Sequence, residues 1–390
     1  MPKILVTAGP IPARVDSVKF ITNRFKGRLA LGTATYLKQV FGEDAVTVVA
    51  WKHTDLSIHP DMPRILVEDV NDYVEKVLSF EADAYVLAAA VANIGPKDPF
   101  EGKFPSHNYK VGETFPIDFT ILPRAIDMVK DRYPRATLIG YKLFDGSEEE
   151  LVAAAEHTLH DSKANLIFAN HPATASSKKI AVTADGSHFE VSFEEHLQLM
   201  SRLIGSTWYR TIITEVTREV AVHPEMQYVI DNYPRHRQGG MTFGTFAIRR
   251  MHGGFLTTTR GKHGGDTETA IVLGCLRPTI GSLHPTLRAE MDPTDYRVYA
   301  DKKATLNAPL LDALFQDNPG IRYLIHGHEL IGLEVQPDYQ FPGTVGDESN
   351  SKCFMGDFVV KLPHHGYVAG FSTFTACKEF LDAHATTNTI

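Results

Sequence analysis

The sequence predicts an α/β protein, with a doubly wound, mostly parallel sheet in its first half and a second α/β domain after it. Three observations predict this. Apolar runs at Ile4-Leu5-Val6, Val46–Trp51, Ile65–Val67, Ala84–Asn93, Leu138–Leu143 and the segment Lys163–Asn170 alternate with amphipathic helical stretches, the order of a Rossmann-like sheet. The first run stops at Gly9-Pro10 and a helix pattern begins near Arg28, the strand, glycine turn and helix start at which backbone N–H groups meet phosphates. Past Ile204-Gly205-Ser206 the pattern changes to shorter, alternating strands, so the domains are expected at 1–206 and 207–390.

In order, the helix after Gly27 carries Ala30, Leu31, Ala34, Leu37 and Phe41 at helical spacing. Asn71 is expected to cap a helix bearing Tyr73, Val77 and Leu78. Ala84–Asn93 reads as one continuous strand; such runs, buried on both faces, typify parallel sheets whose carboxyl ends line ligand sites. In the second half, Arg218 to Tyr233 reads as a helix and 234–240 as a loop. Gly244–Arg249 and Gly254–Gly261 read as two antiparallel strands, and Asn307–Phe315 as a helix stopped by Asn318-Pro319-Gly320.

Composition narrows the function classes. With 390 residues, 43% hydrophobic and 22% charged, each domain can bury its own core. A formal charge of −8 disfavours nucleic acid or an anionic membrane as partner and leaves small-molecule substrates. Cys275, Cys353 and Cys377 are odd in number and widely spaced, which suggests neither a disulfide framework nor a thiolate zinc site. No apolar run approaches membrane-spanning length and no signal-peptide pattern opens the chain, so a cytoplasmic protein is expected.

The words of the first half say more than their spacing, which contains neither GxGxxG nor GxxxxGK[ST]. TAGPIPARVDSVKFITN, with Thr7, Gly9, Asp16, Val18, Ile21, Thr22, Asn23 and then Gly27 in place, resembles the opening of phosphopantothenoylcysteine synthetases, the ligases of coenzyme A biosynthesis. The likeness continues through Ala88–Asn93, with Asn93 at an aspartate position, through Tyr109-Lys110-Val111 in a flap, and through Leu122–Ile126. It ends with Ile139-Gly140-Tyr141-Lys142-Leu143 and Lys163–Asn170. Pro10-Ile11, Lys19 and Phe25-Lys26 depart from the family pattern where it meets nucleotide and acyl phosphate.

The resemblance implies activation of a carboxylate by CTP or ATP with Mg2+, followed by displacement of the nucleotide by an amine, with 4′-phosphopantothenate and cysteine the family's substrates. It assigns Asn23, Lys110 and Lys142 to catalysis, and Gly9, Asp16, Lys19, Gly27, Ala90, Asn93, Lys163 and Asn170 to nucleotide binding. Cations offset the charge that develops on phosphates. Each lysine also has a plain reading as a solvated surface charge, and each glycine as a turn residue.

In the second half, His326-Gly327-His328 follows an apolar strand, and His364-His365-Gly366 follows another. Histidines at i and i+2 share one face of an extended chain, and with a third ligand from His365 they can hold one divalent ion, zinc or a relative. The order of motifs over residues 208–385 resembles the class II aldolase/adducin family, in which three histidines hold a metal that polarises a carbonyl. The acidic residue of that family's S-S-E motif is here Asn307, after Thr305-Leu306, and an amide is no proton-transfer base. Glu329, Glu334 or Tyr367 then takes the proton work, or the domain binds without aldol cleavage. Three readings follow: a ligase fused to a metal-binding domain, a metal-dependent lyase or isomerase acting on a hydroxy-carbonyl compound, and a non-catalytic scaffold. Both resemblances imply a homo-oligomer.

Overall fold

The computed structural model describes residues 1–56, 61–175, 177–214, 223–233, 237–238, 241–242, 244–251, 254–259, 262–263, 269–275, 295–299, 304–334, 338–348 and 351–384. The chain divides into two compact units, Met1–Ala184 with His188–Gly205, and Asp185–Ser187 with Ser206–Ile390.

In the first unit the strands are β1 (Ile4–Ala8), β2 (Val46–Trp51), β3 (Arg64–Val67), β4 (Ala84–Leu87), β5 (Thr137–Leu143), β6 (Leu166–Asn170), β7 (Lys178–Thr183) and β8 (His188–Ser192). They form one sheet in the order 8-7-6-5-4-1-2-3. Strands 3-2-1-4-5-6 are parallel and β7–β8 is an antiparallel hairpin added at one edge. The parallel portion has the dinucleotide-fold order, which reverses direction between β1 and β4 and opens a crevice at the carboxyl ends there.

Helices α1 (Arg28–Phe41), α2 (Val70–Ser79), α3 (Ala125–Arg132), α4 (Glu148–Ser162) and α5 (Phe193–Gly205) accompany the sheet. Leu5, Val49, Tyr85, Leu138 and Ile167 are buried in one core cluster; full burial of a leucine or isoleucine contributes about 1.5–3 kcal/mol.

Two sequence expectations are corrected here. The cap of α2 is Asp69, whose carboxylate accepts from the amides of Asn71 and Asp72; a carboxylate two residues upstream satisfies the orphan donors that Asn71 was expected to meet. The run Ala84–Asn93 is not one strand. It leaves β4 after Leu87 and resumes as Ala90–Val91, paired in parallel with Pro10–Ile11. Alanines fit either side of such a bend, so apolarity alone did not reveal it.

The second unit is built on a nine-stranded mixed sheet. Its strands are β9 (Arg210–Thr214), β10 (Thr245–Arg249), β11 (Phe255–Thr258), β12 (Thr269–Cys275), β13 (Asp295–Tyr299), β14 (Tyr323–Gly327), β15 (Leu333–Glu334), β16 (Phe358–Leu362) and β17 (Gly366–Phe371). Their order is 9-13-12-11-10-14-17-16-15. The helices described are α6 (Pro224–Asn232), α7 (Ala308–Asp317), α8 (Val345–Glu348) and α9 (Phe374–His384).

Alternation sorts the sheet's side chains into two clusters. Ala247, Leu324 and Val368 pack with Leu310, Leu311 and Leu314 of α7. Phe246, Ile248, Tyr323, Ile325 and Tyr367 pack with Met226, Val229 and Cys377.

The expected antiparallel pair of strands forms as β10 and β11. Residues 218–222 of the expected helix, 260–261 of the expected second strand, and 234–236 and 239–240 of the expected loop lie outside the described residues. Within that loop Arg237–Gln238 pairs with Met241–Thr242 as a short antiparallel ribbon.

Candidate nucleotide site and candidate metal centre

At the carboxyl ends of β1 and β4 the backbone is drawn into a tight constellation. Gly9 has φ +79 and Gly27 φ +78, the left-handed region that glycine enters freely. A Cβ on Gly27 would stand 2.4 Å from the Gly9 nitrogen, so the N-cap of α1 lies directly on the turn after β1. The amide of Ala90 donates to Gly9 O at 3.0 Å and Asn23 Nδ2 donates to Ala90 O at 3.0 Å. Asn23, Gly9, Gly27 and Ala90, which the sequence singled out separately, are thus brought together at the switch point. Thr7, which the sequence reading left without a role, holds the same corner: its Oγ1 accepts from the Ala89 amide at 3.1 Å.

Asp16 and Lys19 are bonded to each other within the loop. The Asp16 side chain is fully buried and accepts from the amides of Val18, Lys19 and Phe104 and from Lys19 Nζ at 2.9 Å. The Lys19 ammonium first, and the three amides with it, hold its carboxyl well below the usual carboxylate range against the opposing effect of burial. The pair ties the loop after β1 to the root of the flap. There Phe104, Tyr109 and Phe115 form a mutual ring cluster, with Phe104 5.3 Å from Tyr109 and 4.4 Å from Phe115 between centroids, and Lys110 stands exposed on the flap. Asn93 is exposed, and its carbonyl accepts from the Leu122 amide at the base of the same segment.

Lys142 lies half-buried near the carboxyl end of β5, in register with Ala169 of β6. Asn170 ends β6; it is 5% exposed and its Oδ1 is buried without a hydrogen bond, a polar atom at the ligand-bearing edge that a bound group would satisfy. Lys163 is elsewhere. It is the left-handed C-cap of α4 and pairs with Asp131 at 2.7 Å. Because it precedes β6, it sits at the amino-terminal edge of the sheet, opposite Gly9 and Asn23. Strand direction corrects the nucleotide-binding expectation for this residue.

In the second unit, ligand nitrogens of His326, His328 and His365 lie within 4.8 Å of one another. His326 Nδ1–H donates to the Tyr367 carbonyl at 2.9 Å, since a carbonyl only accepts. This fixes the tautomer in which Nε2 carries the lone pair, the usual outer-shell arrangement behind a ligating histidine. His365 ends the turn between β16 and β17, next to His364 at φ +56. Burial lowers its pKa, partly offset by Asp185, which favours the neutral, ligating ring. Asp185 Oδ2 lies 3.2 Å from His365 Nε2, and the hydroxyls of Ser187 and Tyr339 donate to the same carboxylate. The donor set fits a divalent cation: three imidazoles, two of them 3% exposed, with one tautomer fixed by the backbone.

Cross-strand register decides what else faces this cluster. His326 lies opposite Thr245 and Val368, on the α7 side of the sheet. Thr245 Oγ1 donates to Thr305 Oγ1 at 2.9 Å, and the Asn307 amide donates to Thr305 Oγ1, so Asn307 stands on the histidine side, with its Oδ1 buried and without a hydrogen bond. Tyr367 is opposite Gly327 and its ring covers that glycine on the other face, among Phe380 and Cys377. Burial, and next the Glu329 charge, push its hydroxyl pKa well up. Tyr367 is therefore turned away from the histidines. Glu334 is exposed on β15, where it meets Lys361 at 3.8 Å.

Fold and site define a doubly wound α/β domain followed by a second α/β domain with a histidine cluster. The profile of the DNA/pantothenate metabolism flavoprotein C-terminal domain matches residues 1–204, and the chain belongs to that family. It is 30% identical over 192 residues to the coenzyme A biosynthesis bifunctional protein CoaBC of Thermococcus kodakarensis, a match covering 48% of this chain and 45% of the relative. The chain thus spans about half the length of the curated relative it matches. The DNA/pantothenate metabolism flavoprotein of Streptococcus pneumoniae is similar at 22% identity and a TM-score of 0.44, over 51% of this chain and 96% of that one. The N-terminal class II aldolase domain of a conserved Thermoplasma acidophilum protein is similar at 16% identity and a TM-score of 0.27, over 47% of this chain and 97% of that one. Among the described residues no helix is long and apolar enough to cross a membrane.

Proposed function

We propose that the first unit is a nucleotide-dependent carboxylate–amine ligase of the phosphopantothenate–cysteine type. The observation that carries this reading is the gathering of Gly9, Asn23, Gly27 and Ala90 at the switch point of a domain in this family. An oxygen of the 4′-phosphopantothenate carboxylate attacks the α-phosphorus of CTP or ATP, carried with Mg2+. The bond to pyrophosphate breaks and an acyl-nucleotide forms. The cysteine amine then attacks the acyl carbon and expels the nucleoside monophosphate with one former carboxylate oxygen. Backbone donors at Gly9 and Gly27 meet phosphate, Asn23 orients the reacting carboxylate, and Lys110 and Lys142 offset charge on the phosphates. The test is pyrophosphate release that needs both the acid and the amine and is lost in Asn23→Ala; no release with either nucleotide would overturn the ligase reading.

For the second unit the three imidazoles favour an aldolase-like domain that holds Zn2+ or another divalent metal on His326, His328 and His365. A bound cation supplies Lewis acidity toward a carbonyl or hydroxyl oxygen. Asn307 offers that oxygen an amide in place of a base, and Tyr367 faces away. Both features favour binding of a hydroxy-carbonyl group over proton abstraction from it. Metal content of the purified chain, with retro-aldol and epimerase assays on the same sample, tests this, and metal-dependent release of a carbonyl product would move the principal activity to the histidines. A cytoplasmic homo-oligomer accompanies this reading, and light scattering measures the assembly.

A further inference from the structure

Asp185 belongs to the second unit although, in chain order, it stands in the turn between β7 and β8. Asp185, Ser187, Tyr339 and His365 are all buried. The Ser187 hydroxyl donates to Asp185 Oδ2 at 2.7 Å and the Tyr339 hydroxyl to Oδ1 at 3.1 Å. Oδ2 also lies 3.2 Å from His365 Nε2, at ion-pair distance without the alignment of a hydrogen bond. The hydroxyls satisfy lone pairs and bring no charge, whereas a buried carboxylate is stabilised by a positive one. A divalent ion held through His365 supplies it.

Two constraints act on His365. The backbone sets its position: a Cβ on Gly366 would stand 2.0 Å from the Gly327 carbonyl oxygen and 2.6 Å from His328 Cα. The turn bearing His365 therefore rests directly on the His-x-His segment. The backbone leaves open which ring nitrogen serves as ligand, because a half-turn of the ring exchanges the two. Asp185 decides that. Its charge beside Nε2 favours the proton there and leaves Nδ1 as the nitrogen with a lone pair for a cation. Tyr339 secures the arrangement, holding the carboxylate through its hydroxyl and meeting the His365 ring edge-on with centroids 6.5 Å apart.

We infer that Asp185 is a positioning residue of the candidate metal centre. It holds His365 in the Nε2–H form, leaves Nδ1 for a divalent ion shared with His326 and His328, and sets a negative charge beside that ligand. This rests on the metal reading of the three histidines given above.

Competition of the full chain with a chromophoric chelator for Zn2+ and for Co2+ measures the effect. Asp185→Asn, close to the parent in size, is expected to bind either ion about 10–100-fold more weakly, the range for loss of an outer-shell partner. Long-range ¹⁵N–¹H spectra of the unaltered, metal-free chain, labelled in histidine, read the tautomer directly, and His365→Gln identifies the His365 signals by their loss. A neutral His365 ring with its proton on Nε2 is expected. Equal affinity in Asp185→Asn and the parent chain, or a neutral ring with its proton on Nδ1, would overturn the inference and leave the metal reading intact. A parent chain that takes up neither ion would overturn the metal reading, and this inference with it.

Discussion

Gly27 rests on Gly9 so closely that a single methyl at Gly27 would come within 2.4 Å of the Gly9 nitrogen and 2.6 Å of its Cα. Both residues are left-handed, so the contact combines two backbone demands in one place. It fixes the start of α1 against the turn after β1, where phosphate is expected. Gly27→Ala is predicted to cost about 1–3 kcal/mol for the backbone conformation alone, plus the clash, and to weaken nucleotide binding with it. Urea unfolding and nucleotide titration of the variant check both; an unchanged midpoint with unchanged binding would remove Gly27 from the site.

Asp16 should shape the acid limb of the stability profile. Its folded pKa is depressed, chiefly by Lys19, so its contribution is complete above the ordinary aspartate pKa of about 3.9 and is lost as pH falls below it toward the folded value. Asp16→Asn is expected to be less stable than the parent chain at pH 7, with the gap narrowing at pH 3. Urea midpoints at the two pH values measure this, and an equal gap at both would mean that the carboxylate charge contributes nothing.

The metal reading predicts about one divalent ion per chain after dialysis, and none in His326→Ala. Loss of a ligand should weaken binding by more than the roughly 10–100-fold typical of an outer-shell partner. Elemental analysis of the two proteins decides it; equal metal in both would mean that any bound ion is held elsewhere.

Tyr367→Phe is a complementary case. The carbonyl that orients His326 is backbone and survives, while the hydroxyl points into the opposite cluster. Metal affinity is therefore expected to stay within about twofold, well inside the 10–100-fold of an outer-shell loss. A calorimetric titration showing a tenfold loss would place the hydroxyl on the histidine side after all.

Much of this was readable before any coordinates. The strands of the first unit are apolar runs ended by polar or glycine residues, and their alternation with amphipathic stretches fixes the architecture. The histidine cluster was legible because His-x-His on a strand defines one face and His365 follows a second strand that ends at the same edge. The tie between Asp16 and Lys19 was not legible: a motif position marks a residue as needed and does not say what in the protein it holds. Lys163 could have been placed correctly by strand direction alone, because a residue before a parallel strand lies at the edge away from the ligand. Asp185 left no signal, since Asp185-Gly186 reads as an ordinary turn pair until the fold brings its carboxylate to His365.

The central claim is that a carboxylate is activated by transfer onto the nucleotide's α-phosphorus. Its most direct test uses 4′-phosphopantothenate carrying ¹⁸O in its carboxylate, with cysteine and CTP or ATP, and mass analysis of the released nucleoside monophosphate. Attack through a carboxylate oxygen predicts one ¹⁸O in each monophosphate released. Turnover that yields unlabelled monophosphate, or no turnover at all, would contradict it.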